Sequence, residues 1–190
     1  MHFNEISGTE PLQELLLPPA SQIGITVSNL EKGVRFYQSL LHVKKWYRTK
    51  ITDADYFYKD KAIDQKLDIV VGYWGKMQLE LIQQNCSVEN IYTRHAAPGG
   101  FGLHHLGVVV GDLERKVSML RDMGILPLQT GTIRFGRGGL THFAYMDSMA
   151  RAGFILELIE TRAFGLNLGM PEWLVNIGRA TGDTELFESQ

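Results

Sequence analysis

Two nearly matching stretches hold the polar residues that invite a chemical reading. Residues 154–160 read FILELIE and residues 77–83 read MQLELIQ, so Glu157 and Glu80 each sit mid-way along an apolar, strand-like run. An ionised carboxylate buried without a partner is very costly, so each must meet water, a partner or an ion. A second matched pair accompanies them. QIGITVSNLEKGVRFYQSLL at 22–41 lies over HLGVVVGDLERKVSMLRDMG at 105–124, with Gly24 on Gly107, Val27 on Val110 and Leu30-Glu31 on Leu113-Glu114. Gln22 then occupies the place that His105 has in the second copy. Two carboxylates, an imidazole nitrogen and an amide oxygen make a reasonable ligand set for a divalent metal. The carboxylates neutralise the ion, and the mixed oxygen and nitrogen donors suit Zn, Ni, Co, Mn or Fe(II) over a thiolate-seeking metal. Four protein ligands in an octahedron leave two adjacent positions for water or substrate.

These residues need elements to bring them together, and the repeat supplies them. Each copy opens with a β-branched run, Ile23 to Val27 or Leu106 to Val110, which predicts a strand. Asn29 or Asp112 stands at the N-cap position of a helix whose apolar residues recur at helical spacing: Leu30, Val34, Tyr37 and Leu41, then Leu113, Val117 and Leu120. Further strand-like segments follow in both copies. The predicted fold class is α+β: two βαβββ modules pairing into a curved, cup-shaped mixed sheet with helices on the outer face. The expected boundaries are an N-terminal extension at 1–20, modules at 21–83 and 103–160, a linker at 84–102, and a C-terminal extension at 161–190. The last is partly helical, from Met170 to Gly178, with Pro171 in the first turn.

Alternation along a strand decides which side chains meet. Leu79 and Leu81, like Leu156 and Leu158, belong under the helices, which sends Glu80 and Glu157 to the concave side with Gln78. In the opening strands, Ile23, Ile25 and Val27 share one face, leaving Gln22 and Gly24 on the other; His105 and Gly107 correspond in the second copy. Small residues at 24 and 107 keep the floor open. If the modules pack side by side, Gln22, Glu80, His105 and Glu157 converge. By the same parity His104 falls on the opposite face, as a packing or supporting residue. Candidates for substrate contact are Tyr56, Arg137 in the turn GRGG at 136–139, and either His142 or Tyr145, which a regular strand cannot aim the same way.

Bulk properties exclude several classes. With 44% hydrophobic and 21% charged residues, the 190-residue chain can build a packed core. A formal net charge of −2 argues against nucleic-acid binding. The single cysteine, Cys86, forbids an internal disulfide and fits a reducing compartment. No apolar run reaches the roughly 18 residues of a membrane span, and residues 1–10 lack the pattern of a signal peptide. The expectation is a soluble, cytoplasmic protein acting on a small molecule, without nucleic-acid or membrane partners.

The pattern (H/Q)-x-G-x-x-V-x-(N/D)-L-E followed by L-E-L-I, given twice over about residues 20–160, resembles the vicinal oxygen chelate superfamily. That group includes glyoxalase I, methylmalonyl-CoA epimerase, extradiol dioxygenases and fosfomycin- or bleomycin-resistance proteins. The resemblance implies Gln22, Glu80, His105 and Glu157 as ligands of a divalent ion, a set similar to that of the human-type glyoxalase I. LHHLG at 103–107, after a Gly-rich linker, looks more like methylmalonyl-CoA epimerase. The implied chemistry is isomerase, epimerase or lyase action on a small carbonyl acid or thioester. A proton is removed beside a metal-bound carbonyl, with Glu157 as the base and Glu80 as the second acid/base. The alternatives are a ring-cleaving dioxygenase, which asks for two histidines and one glutamate where this chain has one well-placed histidine, and a metal-free binding or resistance protein. Members of the group also exchange modules between chains, so a homodimer stays open beside a monomer.

Overall fold

The computed structural model describes residues 14–94, 102–163 and 165–188. Residues 1–13 of the N-terminal extension and 95–101 of the linker, including its glycines at 99 and 100, lie outside them.

The first module starts with β1 (Gln22–Thr26) and α1 (Leu30–Leu41). Asn29 caps the helix as expected, its Oδ1 accepting from the Lys32 amide at 2.9 Å. The helix ends at His42, which takes a left-handed conformation at φ 55°. Five strands follow: β2 (Trp46–Thr49), β3 (Ala54–Tyr58), β4 (Lys61–Ile63), β5 (Leu67–Trp74) and β6 (Met77–Gln84). A short helix, α2 (Ile91–Arg94), leads to the second module. There β7 (Gly102–Val109), α3 (Leu113–Asp122), β8 (Pro127–Phe135), β9 (Gly139–Met146), the short α4 (Met149–Ala152) and β10 (Ile155–Ala163) repeat the plan. The tail holds β11 (Leu166–Asn167), α5 (Glu172–Thr181) and β12 (Thr184–Leu186).

Among the described residues the strands form a single curled, open mixed sheet, ordered β12-β2-β5-β6-β1-β7-β10-β9-β8-β3-β4, with β11 on β10. The two opening strands meet at its centre: β1 pairs antiparallel with β7, and each runs parallel to the last strand of its own module. The modules therefore pair within one chain, and the α+β, cup-shaped sheet with outer helices is as expected.

Burial follows the alternation. Leu79, Leu81, Ile25 and Val27 form one cluster with Leu30 and Val34 of α1, and Leu156, Leu158, Val108 and Val110 form another with Leu120 of α3. These two clusters glue the helices to the convex face. A third cluster lies in the cup, where Ile69, Val71, Ile82, Phe143, Tyr145 and Ile155 meet Val175 of the C-terminal helix.

Two local expectations are corrected. Asp112 does not cap α3 through its side chain; the Leu113 amide instead donates to Glu160 Oε2 at 3.3 Å, from the neighbouring strand. Pro171 is the N-cap of α5, which runs on to Thr181. The segment around Tyr56 is a hairpin, β3–β4, whose β3 crosses to pair with β8 of the second module. It is an insertion that the repeat alignment could not place.

Candidate metal centre

The sheet register puts the four polar residues on two adjacent rows. On one row Glu80 of β6 faces Gly24 of β1, which faces His105 of β7. On the next, Gln78 faces Gln22, which faces Gly107, which faces Glu157 of β10. The glycines create the space. A Cβ on Gly24 would overlap the His105 ring, and one on Gly107 would lie 2.5 Å from Gln22 Oε1. Each copy's glycine thus makes room for the other copy's ligand candidate.

His105 Nε2 lies 3.0 Å from Glu157 Oε2 and 3.4 Å from Glu80 Oε2. Ligand atoms of the three residues all fall within 4.8 Å of one another. Gln22 turns its oxygen into the space over Gly107, on the same floor, and the neighbouring network dictates that orientation. Tyr73 OH donates to the Met170 carbonyl at 2.8 Å, and Gln78 Nε2 donates to Tyr73 OH at 2.8 Å and to the same carbonyl at 3.3 Å. Gln78 Oε1 is left to accept from Gln22 Nε2 at 2.8 Å, which frees Gln22 Oε1.

The polar atoms of this floor are under-satisfied. Gln22 Oε1, His105 Nε2 and Glu157 Oε2 are buried and make no hydrogen bond of good geometry, a state that native interiors seldom tolerate. Their electrostatics ask for a cation. Burial by itself would lower the His105 pKa, but Glu157 and then Glu80 outweigh it and raise it to about 9. Burial raises the Glu157 carboxyl; His105 pulls against this, and Glu80 adds to the rise. An imidazolium should depress its partner, so the upward shift of Glu157 shows that burial of its charge is the larger effect. Three inward-facing lone-pair donors beside a second carboxylate fit a divalent ion, by donor type and by charge. Glu80, His105 and Glu157 can hold it, with Gln22 as a fourth donor.

Not all of this floor follows from strand parity. A bulge between Gly24 and Ile25 makes His104 the extra residue, so Gly24 pairs with His105 while Ile25 pairs with Leu103. His104 therefore shares the cup side with His105, the two Nδ1 atoms 2.9 Å apart. Its ring lies 4.8 Å from that of Tyr92. Tyr92 comes from α2, inside the expected linker, and its hydroxyl is 2.8 Å from that of Tyr145. Both phenols are pushed well above their ordinary pKa, chiefly by burial. No motif in the segment before α2 marks Tyr92, and only the bulge reveals His104.

Of the proposed substrate contacts, Tyr56, Arg137 and Tyr145 line a cavity of about 710 Å³ above the floor, and His142 does not. Tyr56 packs on Phe143, with its pKa raised to about 12, mainly by burial. Arg137 is exposed in the turn between β8 and β9. Thr141, Phe143 and Tyr145 are the inward residues of β9. His142 is turned the other way and meets Thr132 Oγ1 at 2.9 Å through Nδ1, so it is not a cup residue.

Residues 21–149 match the family model described as the Glyoxalase/Bleomycin resistance protein/Dioxygenase superfamily. The chain belongs to that superfamily. The match contains Gln22, Glu80 and His105, and Glu157 lies just beyond it on β10. No curated protein matches the chain. Solved structures share the superfamily fold. A hypothetical protein from Bacillus halodurans C-125 has a TM-score of 0.55 at 19% identity, over 78% of this chain and 98% of its own. Methylmalonyl-CoA epimerase from Mycobacterium tuberculosis has 0.51 at 15%, over 83% and 94%. A mutant of 4-hydroxymandelate synthase from Streptomyces coelicolor has 0.52 at 15%, over 87% of this chain and 52% of that one. At these identities the likeness is one of fold. No described helix of this superfamily member is long and apolar enough to cross a membrane.

Proposed function

We propose that this superfamily member is a metal-dependent isomerase, epimerase or lyase that moves a proton next to a carbonyl group of an acid or thioester. The observation that carries the reading is the approach of two carboxylates to one imidazole nitrogen, with Glu157 at 3.0 Å and Glu80 at 3.4 Å from His105 Nε2. When bound, a divalent ion held by Gln22, Glu80, His105 and Glu157 would polarise the carbonyl as a Lewis acid.

The remaining roles belong to the side chains. Glu157 is the base: burial disfavours its charge and so strengthens its hold on a proton. Glu80, on the other module, is the second acid/base, so a proton taken on one side can be returned on the other. Gln22 is neutral and presents oxygen because Gln78 occupies its amide nitrogen. The apolar walls above exclude water and strengthen each of these interactions.

Gln22 also argues against a ring-cleaving dioxygenase. The facial triad of non-haem iron needs two histidines and a carboxylate, and the residue that corresponds to His105 in the first copy is Gln22.

Solvent deuterium exchange into 2-oxo acids, hemithioacetals and acyl thioesters tests the proposal. The metal-loaded protein should exchange one of these classes, and Glu157→Gln should reduce the rate by roughly 10²-fold or more. A Glu157→Gln variant with undiminished exchange would remove Glu157 as the base.

A further inference from the structure

The cavity has more room than a three- or four-carbon acid can fill. At roughly 30 Å³ for each water, about 710 Å³ would leave such a substrate among some twenty waters. The walls offer those waters little. Above the polar floor stand Ile69 and Val71 of β5, Phe143 of β9, Ile159 of β10, and Leu174 and Val175 of α5. Pockets of this size and lining hold drug-sized ligands, with most of the ligand surface against apolar side chains and a few polar groups fixing one end.

The chain beyond the repeat helps to build this lining. The helix α5 brings Leu174 and Val175 against the cup and leaves them 6% and 1% exposed, and β12 ties the tail to β2 at the sheet edge. The roof is joined to the floor as well, because the Met170 carbonyl anchors the Tyr73–Gln78 network that orients Gln22. At the exposed rim Lys76 and Arg137 stand together with Glu172, so the charge there is mixed.

We infer that the substrate joins a metal-binding oxygen head to a bulky apolar body, aryl or branched alkyl, that fills the cup between floor and α5. The head rests on the function proposed above; the body rests on the cavity alone. Hydroxamates carry one bidentate oxygen head on tails of graded size, and calorimetry on the metal-loaded protein reads the tail directly. Affinity is expected to rise about tenfold or more from acetohydroxamate to 2-naphthohydroxamate. Val71→Trp, which fills the cup, should abolish that gain while acetohydroxamate still binds. A headless pair, 2-naphthamide and acetamide, repeats the comparison on metal-stripped protein, where only the naphthyl compound should raise the melting temperature. Graded binding in both arms upholds the apolar body, whatever becomes of the proton-transfer chemistry. Equal affinity along the hydroxamate series, in wild-type protein that binds metal, overturns it and leaves the metal centre standing.

Discussion

The imidazole of His105 lies over Gly24, in space that a Cβ at position 24 would take. The floor is thus made by an exchange between modules, the glycine of one strand clearing the way for the donor of the other. Gly24→Ala should displace His105 and weaken metal binding by about 10–100-fold, the usual effect of disturbing a ligand's support. Titration with Zn or Mn, monitored by calorimetry, measures it. Unchanged affinity in a folded Gly24→Ala protein would show that His105 is not a ligand.

Gln78 sets the direction of the Gln22 amide without being a candidate ligand itself. Its Oε1 accepts from Gln22 Nε2 at 2.8 Å, while its own amide nitrogen is engaged by Tyr73 and Met170. Gln78→Leu removes that acceptor and lets the Gln22 amide turn. Metal affinity should fall by about tenfold, and Gln78→Glu, which retains an acceptor oxygen, should recover most of it. Equal affinity in all three proteins would separate Gln22 from the metal.

The metal-free protein should become less stable as pH rises through the weakly alkaline range. His105 has a folded pKa of about 9 against an ordinary 6.5. A raised pKa contributes stability that is fully present below 6.5 and is lost as pH rises through about 9. Glu157, also raised, acts in the same sense, from the ordinary carboxylate value upward. A divalent ion displaces the His105 proton, so metal affinity should increase with pH up to about 9 and then level off. Urea unfolding of metal-stripped protein at several pH values is the check, and stability that rises between pH 6.5 and 9 would contradict the assignment.

Leu158 adjoins Glu157 in sequence but points to the convex face, fully buried in the cluster beneath α3. Leu158→Ala should therefore cost about 2–5 kcal/mol of stability with metal affinity unchanged at temperatures where the protein is folded. A loss of metal affinity without loss of stability would mean that the faces of β10 are assigned the wrong way round.

The four floor residues were legible in the sequence because three regularities coincide there: a duplicated motif, strict two-residue alternation, and a glycine two positions from each strand-opening donor. Alternation failed where its premise failed. The bulge at His104 breaks the two-residue period and turns a residue assigned to the far face toward the cup. The β3–β4 hairpin is present in one copy alone, so the repeat could not show that it joins the other module. Tyr92 and Met170 reach the site from the linker and the tail, where contacts between distant segments, and no local pattern, decide the position. Helix capping divided the same way: Asn29 caps locally and was readable, whereas the amide of Leu113 is met by Glu160, 47 residues away.

The central claim is that the cup floor is a metal centre, and metal content after purification tests it most directly. Wild-type protein exposed to Zn, Ni, Co or Mn and then desalted should retain about one ion per chain. His105→Ala, folded by circular dichroism, should retain little. Folded wild-type protein that retains none of these ions, or a His105→Ala variant that retains as much as the wild type, would contradict the account.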